Sequence, residues 1–183
     1  RHYTRESGVR NLERDISKLE RIVKKPFNRM TYPEVLEFLK KEHKMDVKWG
    51  KDLRTVEEQK LSQHFDVPTI VTHYPKEVMA FYKPKDPQDS KVAVCLDVIA
   101  PEGYCEIIGG SERDLDIEEL KKVLSKDGED LSGYEFYFDT RRYGSVPHCG
   151  HGMGVERVVS WICGLDTIKD AIHFPRTMRR FNP

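Results

Sequence analysis

Net charge is the first thing this chain lacks: lysine plus arginine number 31 of its 183 residues, and aspartate plus glutamate number 31 as well. No whole-surface basic field therefore advertises nucleic acid. Paired cysteines are missing too. Cys95, Cys105, Cys149 and Cys163 make no CxxC pair, so reduced thiols are expected rather than a zinc site or a disulfide framework. No apolar run approaches the ~20 residues of a membrane span, and the first residues are charged rather than signal-like. A cytoplasmic protein with no membrane partner is the expectation. The seven histidines include no HExxH, and Gly152-x-Gly154 lacks the strand–GxxxxGK–helix setting of a P-loop. With no GxSxG and no ordered Ser-His-Asp set, serine hydrolysis is excluded as well.

What is present reads as one domain, long enough to bury a core. Leu12, Ile16, Leu19 and Val23 recur at helical spacing, which predicts an amphipathic helix over 9–25, ended by Pro26. Thr31 with Glu34, and Thr55 with Glu58, read as capping boxes for helices over 32–43 and 56–65. The texture then changes. Runs over 69–74, 78–82, 91–99 and 104–108 are rich in β-branched and aromatic residues and read as strands. Helices follow over 117–126, capped by Asp116, and over 133–142, then a strand and a helix over 155–163. Early helices, adjacent strands and a late helix predict an α+β fold with a mainly antiparallel sheet.

Three stretches carry candidate chemistry. Asp97–Glu106 reads as strand, turn, strand. With a loop over 100–103, Ile99 faces Tyr104, Val98 faces Cys105 and Asp97 faces Glu106. Opposed carboxylates repel, and a hard divalent cation such as Mg²⁺ would turn that cost into binding. On spacing alone, two solvated acids at a strand edge fit equally well, and the register decides which reading holds. Gly109-Gly110 inside a strand pattern signals a bulge or a close backbone approach. Arg113 just beyond has the planar fork to clamp a carboxylate or amide oxygen, or else is a surface arginine at a strand exit. Tyr74–Tyr82 reads as a half-buried strand.

The most specific stretch is His148-Cys149-Gly150-His151-Gly152-Met153-Gly154-Val155-Glu156-Arg157, continued to Ile162 and closed by Phe174-Pro175-Arg176. Its glycines let backbone pass close to a ligand, and Arg157 would aim a permanent planar cation at that ligand. The segment resembles motif 3 of the class II aminoacyl-tRNA synthetases. With Arg141–His148 before it, it is most similar to the asparaginyl branch, with the aspartyl enzymes as near relatives. Pro26–Tyr32, Tyr74–Glu77, Ala80–Tyr82, Gly109–Ser111 and Phe174–Thr177 resemble further landmarks of that branch, in the same order.

The resemblance implies a class II synthetase-type antiparallel sheet flanked by helices. It also implies ATP-dependent activation of asparagine to an adenylate and transfer to tRNA(Asn). It casts Asp97 and Glu106 as ligands of Mg²⁺ and ATP, Gly152, Gly154 and Arg157 as ATP-binding, and Arg157 as the catalytic cation. Arg113, Gly109 and Gly110 become the amino-acid-binding residues. Motif 1, a dimer element, and the body of motif 2 have no counterpart, although Arg1–Thr4 resembles a motif 2 tail. The expectation is that residues 1–183 form the C-terminal part of a catalytic domain, inactive alone, from a homodimeric enzyme. Three rival readings remain: an aspartyl-tRNA synthetase, an archaeal paralogue making asparagine from aspartate, and a synthetase-derived module that binds without turnover.

Overall fold

The computed structural model describes residues 5–178, so the resemblance of Arg1–Thr4 to a motif 2 tail lies outside the described residues. Helix α1 (Arg5–Val23) leads to strand β1 (Asn28–Thr31), helix α2 (Tyr32–His43), helix α3 (Thr55–His64) and strand β2 (Thr69–Thr72). A hairpin follows, β3 (Cys95–Ala100) and β4 (Cys105–Glu112), then α4 (Ile117–Lys126), α5 (Glu135–Arg142), β5 (Cys149–Met153) and α6 (Val155–Cys163). The strands form one sheet in the order β1-β2-β3-β4-β5. Every neighbouring pair is antiparallel except β1 with β2. The fold is α+β, as the order of elements predicts.

Helices cover both faces of the sheet. On one face Tyr32, Val35 and Leu39 of α2 and Leu61 of α3 pack with Val71, Tyr74 and Ile99. On the other, Ile22 of α1 and Trp161 of α6 pack on Val98, Ala100 and Ile107. A third cluster, Leu120, Leu124 and Phe138, joins α4 and α5 to Phe81 and Tyr82. The Thr31 capping box is present in full: the threonine side chain accepts from Glu34 N–H while Glu34 accepts from Thr31 N–H.

Several expectations are corrected. Thr55 is no cap; Arg54 takes that position without a side-chain bond, and Thr55 is the first helical residue. Residues 78–82 are not a strand. Pro75 and Pro84 bracket them, and Lys76–Val78 instead form a single 3₁₀ turn. The 91–99 run shortens to β3, with only isolated bridges from Val92 to Pro75 and Ala93 to Lys85. Strand β1 was not anticipated. The apolar stripe of α1 also fails to face the core: Leu12 and Val23 are 60% and 76% exposed. Lys18 and Ile22, one turn apart, face inward instead. The Lys18 ammonium reaches both the Trp161 carbonyl and Glu102.

The most consequential correction concerns the hairpin. Ala100 pairs with Cys105 and Ile99 with Glu106, so the loop is 101–104 and not 100–103. Pro101 has no N–H for the ladder, and Glu102 and Gly103 take left-handed conformations (φ 65° and 90°) that close the turn beyond it. A bulge follows. Val98 pairs with Ile108 and Asp97 with Gly109, leaving Ile107 as the extra residue. Asp97 does not face Glu106. Ile107 and Ile108 both pack on the α6 side, so Glu106 and Gly109, three residues apart, share the α3 side with Asp97.

Helix α3 holds this hairpin in place. The Ser62 hydroxyl donates to the Ala100 carbonyl and accepts from Gly103 N–H at 2.8 Å, while the Ser62 carbonyl accepts from Glu102 N–H at 3.0 Å. Ser62→Ala leaves a buried carbonyl without its partner and should cost about 1–3 kcal/mol. For a chain of this size, Tm should fall by about 2–4 °C per kcal/mol lost. Thermal unfolding checks this; an unchanged Tm would show that the turn holds itself.

Candidate functional site

Gly109 is where the two carboxylates meet. A Cβ built there would lie 2.9 Å from Glu106 Oε1 and 3.3 Å from Asp97 Oδ1. The missing side chain is therefore the space that both acids occupy. Burial pushes the Asp97 pKa up to about 6, the Glu106 charge adds to the rise, and a hydrogen bond with Tyr74 and the charge of Lys83 oppose it. Tyr74, almost wholly buried, is itself held protonated by burial and by the Asp97 charge.

Glu58 of α3 is a third acid on the same side. Its Oε2 accepts the Glu106 N–H at 3.2 Å. Burial raises its pKa, and the charges of Glu106 and Asp97 raise it further. Helix spacing places Glu58 and Ser62 on one face, so one turn of α3 grips both ends of the hairpin's turn. Sequence reading assigned Glu58 to a cap that does not form.

Cations flank the acids on two sides. Arg157 lies in the first turn of α6, and its Nη1 donates to the Glu106 carbonyl at 2.7 Å and lies 3.4 Å from Glu106 Oε2. A Cβ on Gly154 would come within 3.1 Å of Arg157 Cδ, so that glycine clears the arginine's path. On the far side Arg113 stacks on the Tyr82 ring at 4.5 Å and donates to Ser111 Oγ at 3.1 Å. Gly150 makes room for it: a Cβ there would lie 2.5 Å from Arg113 Nη2.

These groups divide between two adjoining clefts. One, of about 490 Å³, is lined by Asp97, Glu106, Gly109, Gly110, Arg113 and Gly152, with Tyr82, Lys83, Ser111 and His151 beside them. The other, of about 790 Å³, contains Arg157, Glu58 and the 52–55 loop. Glu106 lines both. The structure thus gathers the sequence-derived candidates at one place, with Gly154 supporting Arg157 from behind. Tyr74, Tyr82, Lys83 and Gly150 were not singled out. The tyrosines read as strand alternation, and only the order of elements in space brings them under Arg113 and Asp97.

The donor set suits a hard cation that keeps part of its own shell. Among the described residues no group of three or more His, Cys, Asp or Glu is placed to hold an ion. The two carboxylates over Gly109 are a donor set that would fit Mg²⁺, which is held by one or two carboxylates together with phosphates and water.

The Asp97 carboxyl ionises near 6 when folded, against 3.8 for an unperturbed group. Between those values the folded chain keeps a proton that the unfolded chain has lost, so this group's contribution to stability falls as pH rises through that window. In metal-free buffer Asp97→Asn should therefore gain stability over the wild type between about pH 4 and pH 7, most at the upper end. Urea unfolding at several pH values checks this. A constant gap between the two proteins would show that Asp97 titrates normally.

Known proteins are similar to this chain in sequence and fold. The profile of tRNA synthetases class II (D, K and N) matches residues 4–178. The asparaginyl-tRNA synthetase of Pyrococcus horikoshii is 47% identical, with a TM-score of 0.82 over 86% of this chain and 37% of its own. That of Entamoeba histolytica, in complex with asparaginyl-adenylate, is 32% identical, with a TM-score of 0.82 over 87% of this chain and 37% of its own. The aspartyl-tRNA synthetase of the same organism is 31% identical, with a TM-score of 0.77 over 87% of this chain and 33% of its own. The chain therefore spans little more than a third of those relatives. Its matched residues and its fold make it a member of the class II tRNA synthetase family, in the group of the aspartate, lysine and asparagine enzymes.

Proposed function

We propose that this chain is the larger, C-terminal part of the catalytic domain of an asparaginyl-tRNA synthetase. In this reading it activates asparagine with ATP and passes the aminoacyl group to tRNA(Asn), as part of a cytoplasmic homodimer. The observation that carries the proposal is the row of groups along β4. Glu106 lies between the Arg157 cleft and the Arg113 cleft, with Asp97 beside it over Gly109. That row is the layout an adenylating site requires, with phosphates at one end and an amino acid at the other. The likeness to two asparaginyl enzymes supports asparagine. The likeness to an aspartyl enzyme keeps aspartate as a second reading.

In the reaction a carboxylate oxygen of the amino acid attacks the α-phosphorus of ATP. The bond from that phosphorus to the bridging oxygen breaks, and pyrophosphate leaves with the electron pair. No protein nucleophile is required. Arg157 would bind the triphosphate, and Glu58, through the Glu106 N–H, would keep the Glu106 carboxylate turned toward it. Mg²⁺, held by Asp97 and Glu106, would supply neutralisation of the phosphate charge. Arg113, fixed by Tyr82 and Ser111, would receive the side-chain oxygen of the amino acid.

Amino-acid-dependent pyrophosphate exchange by the enzyme that carries this chain tests the reading. Exchange with asparagine supports it, exchange with aspartate alone supports the second reading, and exchange with neither overturns both. Arg113→Lys should lose nearly as much as Arg113→Ala, because an ammonium cannot reproduce a two-pronged stacked contact. Both should raise the KM for the amino acid and leave that for ATP in place. Gly109→Ala should do the opposite, since its Cβ displaces the two carboxylates. A loss of about 100-fold in kcat with raised Mg²⁺ dependence is the expected scale for disturbing one preorganised electrostatic element. Normal exchange in Gly109→Ala would remove the carboxylate pair from the mechanism.

A further inference from the structure

We propose that Lys83 is a second carboxylate-binding cation of the amino-acid cleft, working beside Arg113. The inference rests on the amino-acid-activating reading above and deepens it. Lys83 lines the cleft that holds Asp97, Glu106, Ser111 and Arg113, and follows Tyr82, the ring on which Arg113 stacks. Its backbone is fixed at both ends. Lys83 N–H donates to the Ala80 carbonyl at 3.1 Å, and its own carbonyl accepts the Lys76 ammonium at 2.6 Å.

The side chain is half-buried, yet among the described residues its ammonium has one hydrogen-bond acceptor, the thioether sulfur of Met79 at 3.2 Å. It makes no ion pair with any described carboxylate. Its charge is felt by Asp97, which lies in the same cleft but outside pairing distance. Other half-buried lysines have oxygen acceptors: Lys18 has Glu102 and the Trp161 carbonyl, and Lys76 has the Lys83 carbonyl. An ammonium has three donors and wants oxygen acceptors, and a thioether is a weak substitute. Leaving such donors unmet away from bulk water is costly. The arrangement is explained if the missing acceptor arrives with the ligand.

A carboxylate is the acceptor that fits, because Lys83 and Arg113 are the two cations of this cleft and Asp97 and Glu106 already hold its other side negative. An amino acid can supply that carboxylate from its α-position, shared by asparagine and aspartate, or from its side chain, present in aspartate alone. The chemistry at Lys83 is the same for both.

Calorimetric titration of asparagine, aspartate and Mg²⁺–ATP into the enzyme that carries this chain, and into its Lys83→Met and Lys83→Gln variants, tests the proposal. The methionine keeps the length and apolar stem of lysine, the glutamine keeps polarity, and thermal unfolding of both establishes that they fold. The expected result is a loss of at least about tenfold in amino-acid affinity, about 1.4 kcal/mol, with Mg²⁺–ATP binding unchanged. Equal loss for both amino acids identifies the α-carboxylate, and loss for aspartate alone identifies the side-chain carboxylate. Amino-acid binding that survives both substitutions overturns the proposal. So does a matching loss for Mg²⁺–ATP, which would make Lys83 a counter-ion of Asp97. A wild-type enzyme that binds Mg²⁺–ATP but neither amino acid also overturns it, while an enzyme that binds none of the three overturns the activating reading itself.

Discussion

Two carboxylates sharing the space over one backbone carbon repel each other, and the middle of this molecule is organised around keeping them there. Asp97 and Glu106 are brought together by a bulge, and the space between them exists because residue 109 has no side chain. Left free, the strands would relieve the repulsion by slipping or fraying. Helix α3 prevents that by binding both sides of the turn through Ser62 and Glu58, and α1 adds Lys18 on Glu102 at the turn's tip. Arg157 takes the Glu106 carbonyl from the other side. Burial, and after it the nearby Glu106 charge, push the Asp97 carboxyl up to about 6.

Overall neutrality conceals this arrangement. Equal numbers of acidic and basic residues cancel over the surface, but along the sheet they are sorted. Acids occupy the centre, with Arg157 on one side and Arg113 and Lys83 on the other. A bulk count averages over that order.

The sequence was most informative where a residue type has one physical use. The Thr-x-x-Glu box at 31–34 restricts geometry so tightly that its role could be read directly, and the 150–154 glycines marked a close approach, although what approaches Gly150 and Gly154 is an arginine side chain. Legibility failed where the outcome depends on a distant partner. Nothing local distinguishes Thr31-x-x-Glu34, which caps, from Thr55-x-x-Glu58, whose glutamate is drawn to the Glu106 N–H instead. The α1 stripe has clear helical period but cannot say which face docks; Lys18, with the Trp161 carbonyl and Glu102 as acceptors, and the buried Ile22 take the inward face instead. The hairpin register moved for the same reason: proline shifted the loop by one residue, and packing against Trp161 drew Ile107 and Ile108 to one side together.

That shared side has an arithmetic consequence. In a regular strand, residues an odd number apart point to opposite faces, so Glu106 and Arg113 should look away from each other. The bulge at Ile107 changes the parity of the count. Glu106, Gly109, Ser111 and Arg113 then line one face in sequence, each register position checked by a glycine opposite or beneath it. Strand β4 thereby acts as a ruler roughly 20 Å long by the usual rise per residue, with its two ends read on the same side. Removing the extra residue at 107 would leave the two ends six apart in a regular strand and still on one face, whereas a deletion elsewhere in the interval that kept the bulge would send one end through to the far side of the sheet.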